Sequence, residues 1–245
     1  MDRRINQYST FAELYDQWMS PSLYDSWRDY VIKRVPKGSS ILDLGSGAGH
    51  LGVRLSKEGY DYSGLDISED MLTLAAMKQA ETSTSFPLIL ADMQDLSDFP
   101  TYDVITSFCD SLCYLEEREM VVQVFKEAYQ HLEEDGLFLF DIHSVYQMEK
   151  FDGFSYHDIE NHQILLWDSF SGDAPYSCEH YLTILKETEE GLYERFEEVH
   201  FERTYPVEDV IEMLKPVGFT DIDITADFEQ ELTAESSRIF FEARK

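Results

Sequence analysis

The chain has 245 residues, with 19 Lys and Arg against 49 Asp and Glu and a formal net charge of −30 at pH 7, a length that suits one large domain or a domain with an insertion. That acidity counts against nucleic-acid and membrane partners and leaves neutral or cationic small molecules acceptable, with surface solubility as its other explanation. The three cysteines, Cys109, Cys113 and Cys178, show no C-x-x-C and no paired His–Cys spacing, so neither a disulfide framework nor a bound metal is expected, and with no run long enough to span a bilayer the expected location is cytoplasmic.

Residues 1–35 read as an N-terminal helical segment. Phe11, Leu14, Tyr15 and Trp18 recur at three- and four-residue steps and make one apolar face, and a second helical run follows Pro21. Ile41-Leu42-Asp43-Leu44 then reads as a short buried strand entering Gly45-Ser46-Gly47-Ala48-Gly49, where glycines let the backbone turn sharply and approach a ligand. Such a turn sits at the carboxyl end of a parallel strand, where doubly wound sheets bind ligands. Gly47-Ala48-Gly49-His50-Leu51-Gly52 matches G-x-G-x-x-G, which keeps an NAD(P)-dependent oxidoreductase as an alternative. Counted from Gly45, the residue directly after the strand, the pattern is G-x-G-x-G with His50 at the last required glycine, a register wrong for a pyrophosphate. Asp43 would repel a pyrophosphate but suits an ammonium group or a role in orienting the loop.

A helix from His50 stops at Gly59, and the strand Tyr60 to Leu65 leads to Asp66, about 20 residues past the first glycine, near the spacing at which a carboxylate reaches a ribose diol. Ser68 reads as a helix N-cap with Glu69 and Asp70 in the first turn. Phe86 to Ala91 is a third strand, followed by Asp92-Met93 and a polar loop whose Asp95 and Asp98 read as solvated. Tyr102 to Phe108 is a fourth strand with its exit at Cys109-Asp110-Ser111, and Glu116 to Leu132 is an amphipathic helix. A Glu133-Glu134-Asp135-Gly136 turn leads to the strand Leu137 to Ile142, and His143 follows. From residue 154 to 205 the pattern changes to long strand-like runs around Ile164–Trp167, Tyr181–Leu185 and Tyr193–Phe196, an inserted antiparallel sheet. A helix from Pro206 to Leu214, a turn at Pro216-Val217-Gly218-Phe219 and strands at Ile222–Ala226 and Arg238–Ala243 close the chain.

Asp43-Leu44-Gly45-Ser46-Gly47-Ala48-Gly49 resembles the first motif of class I S-adenosylmethionine-dependent methyltransferases, whose loop holds the methionine part of the cofactor. Phe11-Ala12-Glu13-Leu14-Tyr15-Asp16 resembles the F-A-x-x-Y-D segment that precedes it in many small-molecule members, where the tyrosine closes over the cofactor; an amphipathic packing helix is the other reading of Tyr15. Leu90-Ala91-Asp92-Met93 is similar to the position that offers a carboxylate and a backbone amide to adenine, and Tyr102-Asp103-Val104-Ile105 to the F-D-x-I motif.

The resemblance implies an α/β Rossmann-like fold, a seven-stranded, mostly parallel sheet with its last strand antiparallel, built from 36–153 and 206–245, with 154–205 as a small antiparallel β cap or a dimer surface. It implies S-adenosylmethionine bound by Tyr15, Asp43, Gly45, Ser46, Gly47, Gly49, Asp66, Ile67, Asp92, Met93 and Phe108. Asp110 and His143 are the candidate catalytic residues, able to take a proton from the acceptor, with helix capping and loop anchoring as their other readings. Methyl transfer to a small neutral or cationic acceptor is the expected activity, with a homodimer as an expected assembly and a non-catalytic S-adenosylmethionine-binding protein as a further alternative.

Overall fold

The computed structural model describes residues 21–160, 163–188 and 190–245; Tyr15 and the helix expected around it lie outside them. Strand β1 (Ser40–Leu44) is buried from Ile41 to Leu44 because it pairs in parallel with β2 (Asp61–Asp66) on one side and β4 (Tyr102–Ser107) on the other. A strand covered by neighbours and helices on all sides needs a continuous apolar run, which the sequence supplies apart from Asp43. β3 (Leu88–Leu90) adds beyond β2, and β5 (Leu132–His143), β11 (Arg238–Arg244) and β10 (Ile222–Ala226) extend the other edge, giving the order β10-β11-β5-β4-β1-β2-β3. Only β11 runs antiparallel, against both β5 and β10. The chain therefore has the mixed α/β architecture and seven-stranded sheet expected of it. Strand order reverses between β1 and β4, so a ligand crevice is expected outside their carboxyl ends.

Helices cover both faces of this sheet. Trp27, Tyr30 and Val31 on α1 (Pro21–Ile32) and Leu51, Val53 and Leu55 on α2 (His50–Glu58) fill one side. α3 (Glu69–Thr82) starts at Ser68, whose hydroxyl accepts from Met71 N at 3.2 Å. On the other side α4 (Arg118–His131) and α6 (Val207–Val217) bury Val124, Phe125, Met213 and Leu214 over Phe138, Phe140 and Phe241. α5 (Val145–Phe151) connects β5 to the insertion. Among the described residues, no helix is long and apolar enough to cross a membrane.

Two segments depart from the expected turns. Glu133 to Gly136 lies within β5 as an irregularity, with Asp135 at φ 62° and a register shift opposite Tyr102 and Val104, because Leu132 already pairs with Tyr102. Pro216 sits in the last turn of α6, where its missing N–H removes a single bond, and the helix ends one residue later at Val217, capped by Gly218.

The insertion forms a separate four-stranded antiparallel meander, β6 (Phe154–Glu160), β7 (Gln163–Ser171), β8 (Ser177–Glu187) and β9 (Tyr193–Arg203). Its inner face buries Leu165 and Ile184 with Trp167, Leu182 and Phe196 around them. Its outer face exposes Phe170, Val199 and Phe201.

Candidate functional site

The turn after β1 folds as its glycines allow. Gly45 and Ser46 donate their N–H groups to Leu65 O at 2.9 Å each, tying the turn to β2, and Gly45, Gly47 and Gly49 all have positive φ. The three glycines then differ. A Cβ on Gly45 would fall 2.5 Å from Ser111 Oγ, and one on Gly49 would fall 2.9 Å from Ala75 Cβ, so both serve close packing. A Cβ on Gly47 would meet nothing within 4 Å, because that position opens on a cavity of ≈ 400 Å³. The volume lies in the range of small-ligand sites.

Asp66 closes the turn from the next strand: its Oδ2 accepts from Gly47 N at 2.7 Å and its Oδ1 from Ser68 N at 2.9 Å. Burial pushes its pKa up, and the N–H groups of Ser68, Gly47 and Ile67 partly oppose that rise. Asp43 lies deeper, with Oδ1 accepting from the Thr106 hydroxyl at 2.6 Å and Oδ2 from the Tyr62 hydroxyl at 2.5 Å. Burial raises its pKa to about 6 even against those two donors. Ser46 Oγ is buried with no hydrogen-bond partner among the described residues, and Ser46 lines the cavity. Ile67, 72% exposed, and Met93 add apolar wall, and Phe108 closes the floor from β4.

The structure thus brings Asp43, Gly45, Ser46, Gly47, Asp66, Ile67, Met93 and Phe108 together around one cavity. It does not bring Gly49 there, for the packing reason given above. Asp92 is also outside the lining; it is exposed, with its carboxylate turned back onto Gln94 N at 2.9 Å. Tyr15 lies outside the described residues.

Asp110 and His143, the candidate catalytic pair, lie apart from these residues. They meet each other, with His143 Nε2 3.2 Å from Asp110 Oδ2, but neither lines the cavity. They belong to a buried charge cluster behind it. Arg238 ion-pairs with Asp110 and, at 2.8 Å, with Asp141, while Asp141 also accepts from Trp27 Nε1 at 2.6 Å and from Asp110 N at 3.0 Å. Burial alone would raise the Asp110 pKa, but Arg238 and His143 hold it well below the usual carboxylate range. Burial opposes the charged form of His143, yet Asp110 outweighs it and raises the imidazole's pKa. The cluster anchors the β4 exit, where Cys109 and Asp110 take left-handed φ values of 57° and 60° and aim Ser111 and Tyr114 at the cavity.

What the sequence reading missed comes from α1 and from the insertion. Tyr24 and Trp27 line the cavity from α1, and Glu198 and His200 line it from β9. His200 Nε2 lies 3.0 Å from Glu198 Oε2. The insertion also brings Cys178, His180 and Glu202 within 4.8 Å of one another, a donor set that sequence spacing did not disclose. Its hydrogen bonds do not suit a metal. Trp167 Nε1 donates to His180 Nδ1 at 3.1 Å, which leaves the ring proton on Nε2, facing Cys178 Sγ at 3.1 Å. Burial, with Glu202 nearby, pushes the Cys178 thiol up to about 12, and the thiol donates on to Met148 Sδ at 3.5 Å.

Residues 41–136 match the sequence profile of a methyltransferase domain. A protein of Geobacillus sp. (strain WCH70) named as a methyltransferase is 38% identical over 97% of this chain and 99% of its own. An S-adenosylmethionine-dependent methyltransferase from Clostridium acetobutylicum superposes with a TM-score of 0.84 at 25% identity, over 97% of this chain and 98% of its own. A sugar N-methyltransferase from Streptoalloteichus sp. shares the fold, with a TM-score of 0.78 at 22% identity over 96% and 92% of the two chains. The NAD(P)-dependent alternative finds no support among these similarities.

Proposed function

Because the chain belongs to the class I S-adenosylmethionine-dependent methyltransferases, with S-adenosylmethionine as cofactor and methyl transfer as reaction, we propose that its acceptor is a small, neutral or cationic molecule enclosed beneath the β insertion. The observation that carries this reading is the cavity itself, whose wall is shared between the glycine turn and β9 of the insertion. In this reading 154–205 is a cap on the core formed by 36–153 and 206–245, and α1 closes the same site through Tyr24 and Trp27. The charge of −30 opposes polyanionic acceptors, and the sugar N-methyltransferase of like fold supports a compact polar one. A cytoplasmic location fits three cysteines with no disulfide between them, and a homodimer would use the cap's outer face, where Phe170 and Phe201 are exposed.

The residues present fit the cofactor. Gly47 leaves bare backbone facing the cavity, Ser46 offers a buried hydroxyl with no partner among the described residues, and Asp66 keeps further lone pairs for ribose hydroxyls. Ile67 and Met93 would flank the adenine. When bound, the cofactor supplies a methyl carbon activated by its sulfonium. The chain's part is to orient the acceptor and exclude water, which is worth roughly 7–11 kcal/mol where geometry is well held. Asp43, with both oxygens already engaged, holds the strand end and the loop.

Gly47→Val is expected to abolish S-adenosylhomocysteine binding in calorimetry at a cost to stability of roughly 1–2 kcal/mol, since the branched side chain enters the cavity and the left-handed φ of 53° disfavours it. Retained binding would count against the cradle. The acceptor class is tested by incubating enzyme and labelled cofactor with size-fractionated lysate. Label is expected in the small-molecule fraction; label confined to macromolecules overturns the reading.

A further inference from the structure

The last residues of β9 reverse the usual sense of a surface strand. Val199 and Phe201 point outward and are 44% and 45% exposed, whereas Glu198, His200 and Glu202, two residues apart on the other face, point toward the core. Glu202 joins the buried charge cluster, 3.6 Å from His143 Nε2, while Glu198 and His200 reach the cavity. His200 Nε2 engages Glu198 Oε2 at 3.0 Å, and the other oxygen, Oε1, is buried with no hydrogen-bond partner among the described residues. The ring of Tyr114 stands 5.9 Å from that of His200, edge to face, on the adjoining wall.

A buried carboxylate oxygen without a donor is costly, more so for a charged group than for a neutral one. Something that enters this cavity must supply the donor. The cofactor's own anchoring groups lie on the glycine turn and Asp66, whereas Glu198 belongs to the cap. Resting on the methyltransferase reading above, we infer that Glu198 is the acceptor-binding residue, that its Oε1 receives an N–H of an amine, and that the acceptor is therefore an amine-bearing small molecule. A hydroxyl acceptor offers one donor and no charge; an ammonium offers three donors and the opposite charge, which a carboxylate favours, and one of its protons passes to Glu198 Oε1 to free the nitrogen lone pair for the methyl group while another N–H keeps the contact. His200 is a positioning residue. By occupying Oε2 it fixes the carboxylate plane and leaves Oε1 turned to the acceptor. Tyr114 limits how far the acceptor can move sideways.

The test uses the full-length protein, labelled cofactor and the small-molecule fraction of a lysate, with one half of that fraction treated beforehand with N-acetoxysuccinimide, which acylates amines and leaves hydroxyls. Wild type is expected to lose at least tenfold in label incorporation on the acylated half. Glu198→Gln is expected to lower transfer roughly 10–100-fold at limiting acceptor, with a smaller loss at high acceptor, because a charged hydrogen bond to substrate is removed. His200→Gln, which can still donate to Oε2, should retain more activity than His200→Ala. S-adenosylhomocysteine affinity by calorimetry should stay within twofold of wild type in all three variants. Undiminished labelling of the acylated half, or wild-type transfer by Glu198→Gln at limiting acceptor, overturns the inference and leaves the small-acceptor reading standing. Loss of S-adenosylhomocysteine binding in every variant also overturns it, since the pair would then hold the cofactor or the fold. Absence of label from the untreated small-molecule fraction removes the small-acceptor reading itself, and this inference with it.

Discussion

Asp66→Ala is expected to weaken S-adenosylhomocysteine binding by roughly two orders of magnitude in a protein that still folds. The carboxylate receives two backbone N–H groups, from Gly47 at 2.7 Å and Ser68 at 2.9 Å, and so joins the turn after β1 to the start of α3. Hydrogen bonds to a charged group contribute roughly 1.5–3 kcal/mol each, so losing the ribose contacts alone accounts for about two decades of affinity. The slackened turn adds to that loss. Folding suffers less, because the same burial that raises the Asp66 pKa makes the ionised carboxylate costly, and alanine removes that cost along with the bonds. Asp66→Asn separates the two contributions: one oxygen remains for one N–H, and its amide opposes the other, so an intermediate affinity is expected. Calorimetry decides, with circular dichroism as the folding control. A folded Asp66→Ala protein with wild-type affinity would remove Asp66 from the cofactor site.

Asp66 was legible in the sequence because everything that places it is local. A buried strand, a spacing from the glycine turn and an N-cap serine two residues later are short-range signals, and Gly59 and Ser68 end and start their helices as read. The packing of Gly49 was not legible, because its neighbour, Ala75, belongs to a different helix and no pattern around position 49 announces that contact. Asp110 and His143 were found at their strand ends, but Arg238, which decides their charge states, comes from the last strand of the sheet. Glu198 and His200 were missed for a sharper reason. A strand's polar face is ordinarily its solvent face, so alternation alone assigns them to water, yet near the end of β9 Val199 and Phe201 are exposed while Glu198 and His200 line the cavity.

Arg238→Met is expected to destabilise the protein by about 3–5 kcal/mol, the usual cost of leaving buried charges unpaired. Asp141 is fully buried, and Asp110 nearly so; without the guanidinium they face each other with His143, Trp27 and one backbone N–H to compensate among the described residues. The effect depends on pH in a definite direction. In the wild type the Asp110 pKa is depressed, so its stabilisation is present above the ordinary carboxylate value near 3.9 and lost as pH falls through its lowered native value. The His143 pKa is raised, so its contribution is full below about 6.5 and lost as pH rises through its native value. Both act fully between those limits. In Arg238→Met the two carboxyls lose their cation and their pKa values rise, so the variant recovers near pH 4, where they take up protons, and falls furthest behind near pH 8. Urea unfolding at both pH values measures the gap; one that stays constant, or stays below about 1 kcal/mol, would show that the cluster is not holding the fold. The consequence reaches the site. Cys109 and Asp110 occupy left-handed backbone conformations that cost of order 1–3 kcal/mol each, and the bonds from Asp110 to Asp141, Arg238 and His143 are what hold them there. Releasing that strain lets the β4 exit relax and draws Ser111 and Tyr114 away from the cavity wall, so acceptor turnover should fall in Arg238→Met at pH 8 even at temperatures where the protein remains folded. Arg238→Lys keeps the charge but loses the rigid guanidinium whose Nη1 meets both carboxylates, and it should lie between the two proteins in both stability and turnover.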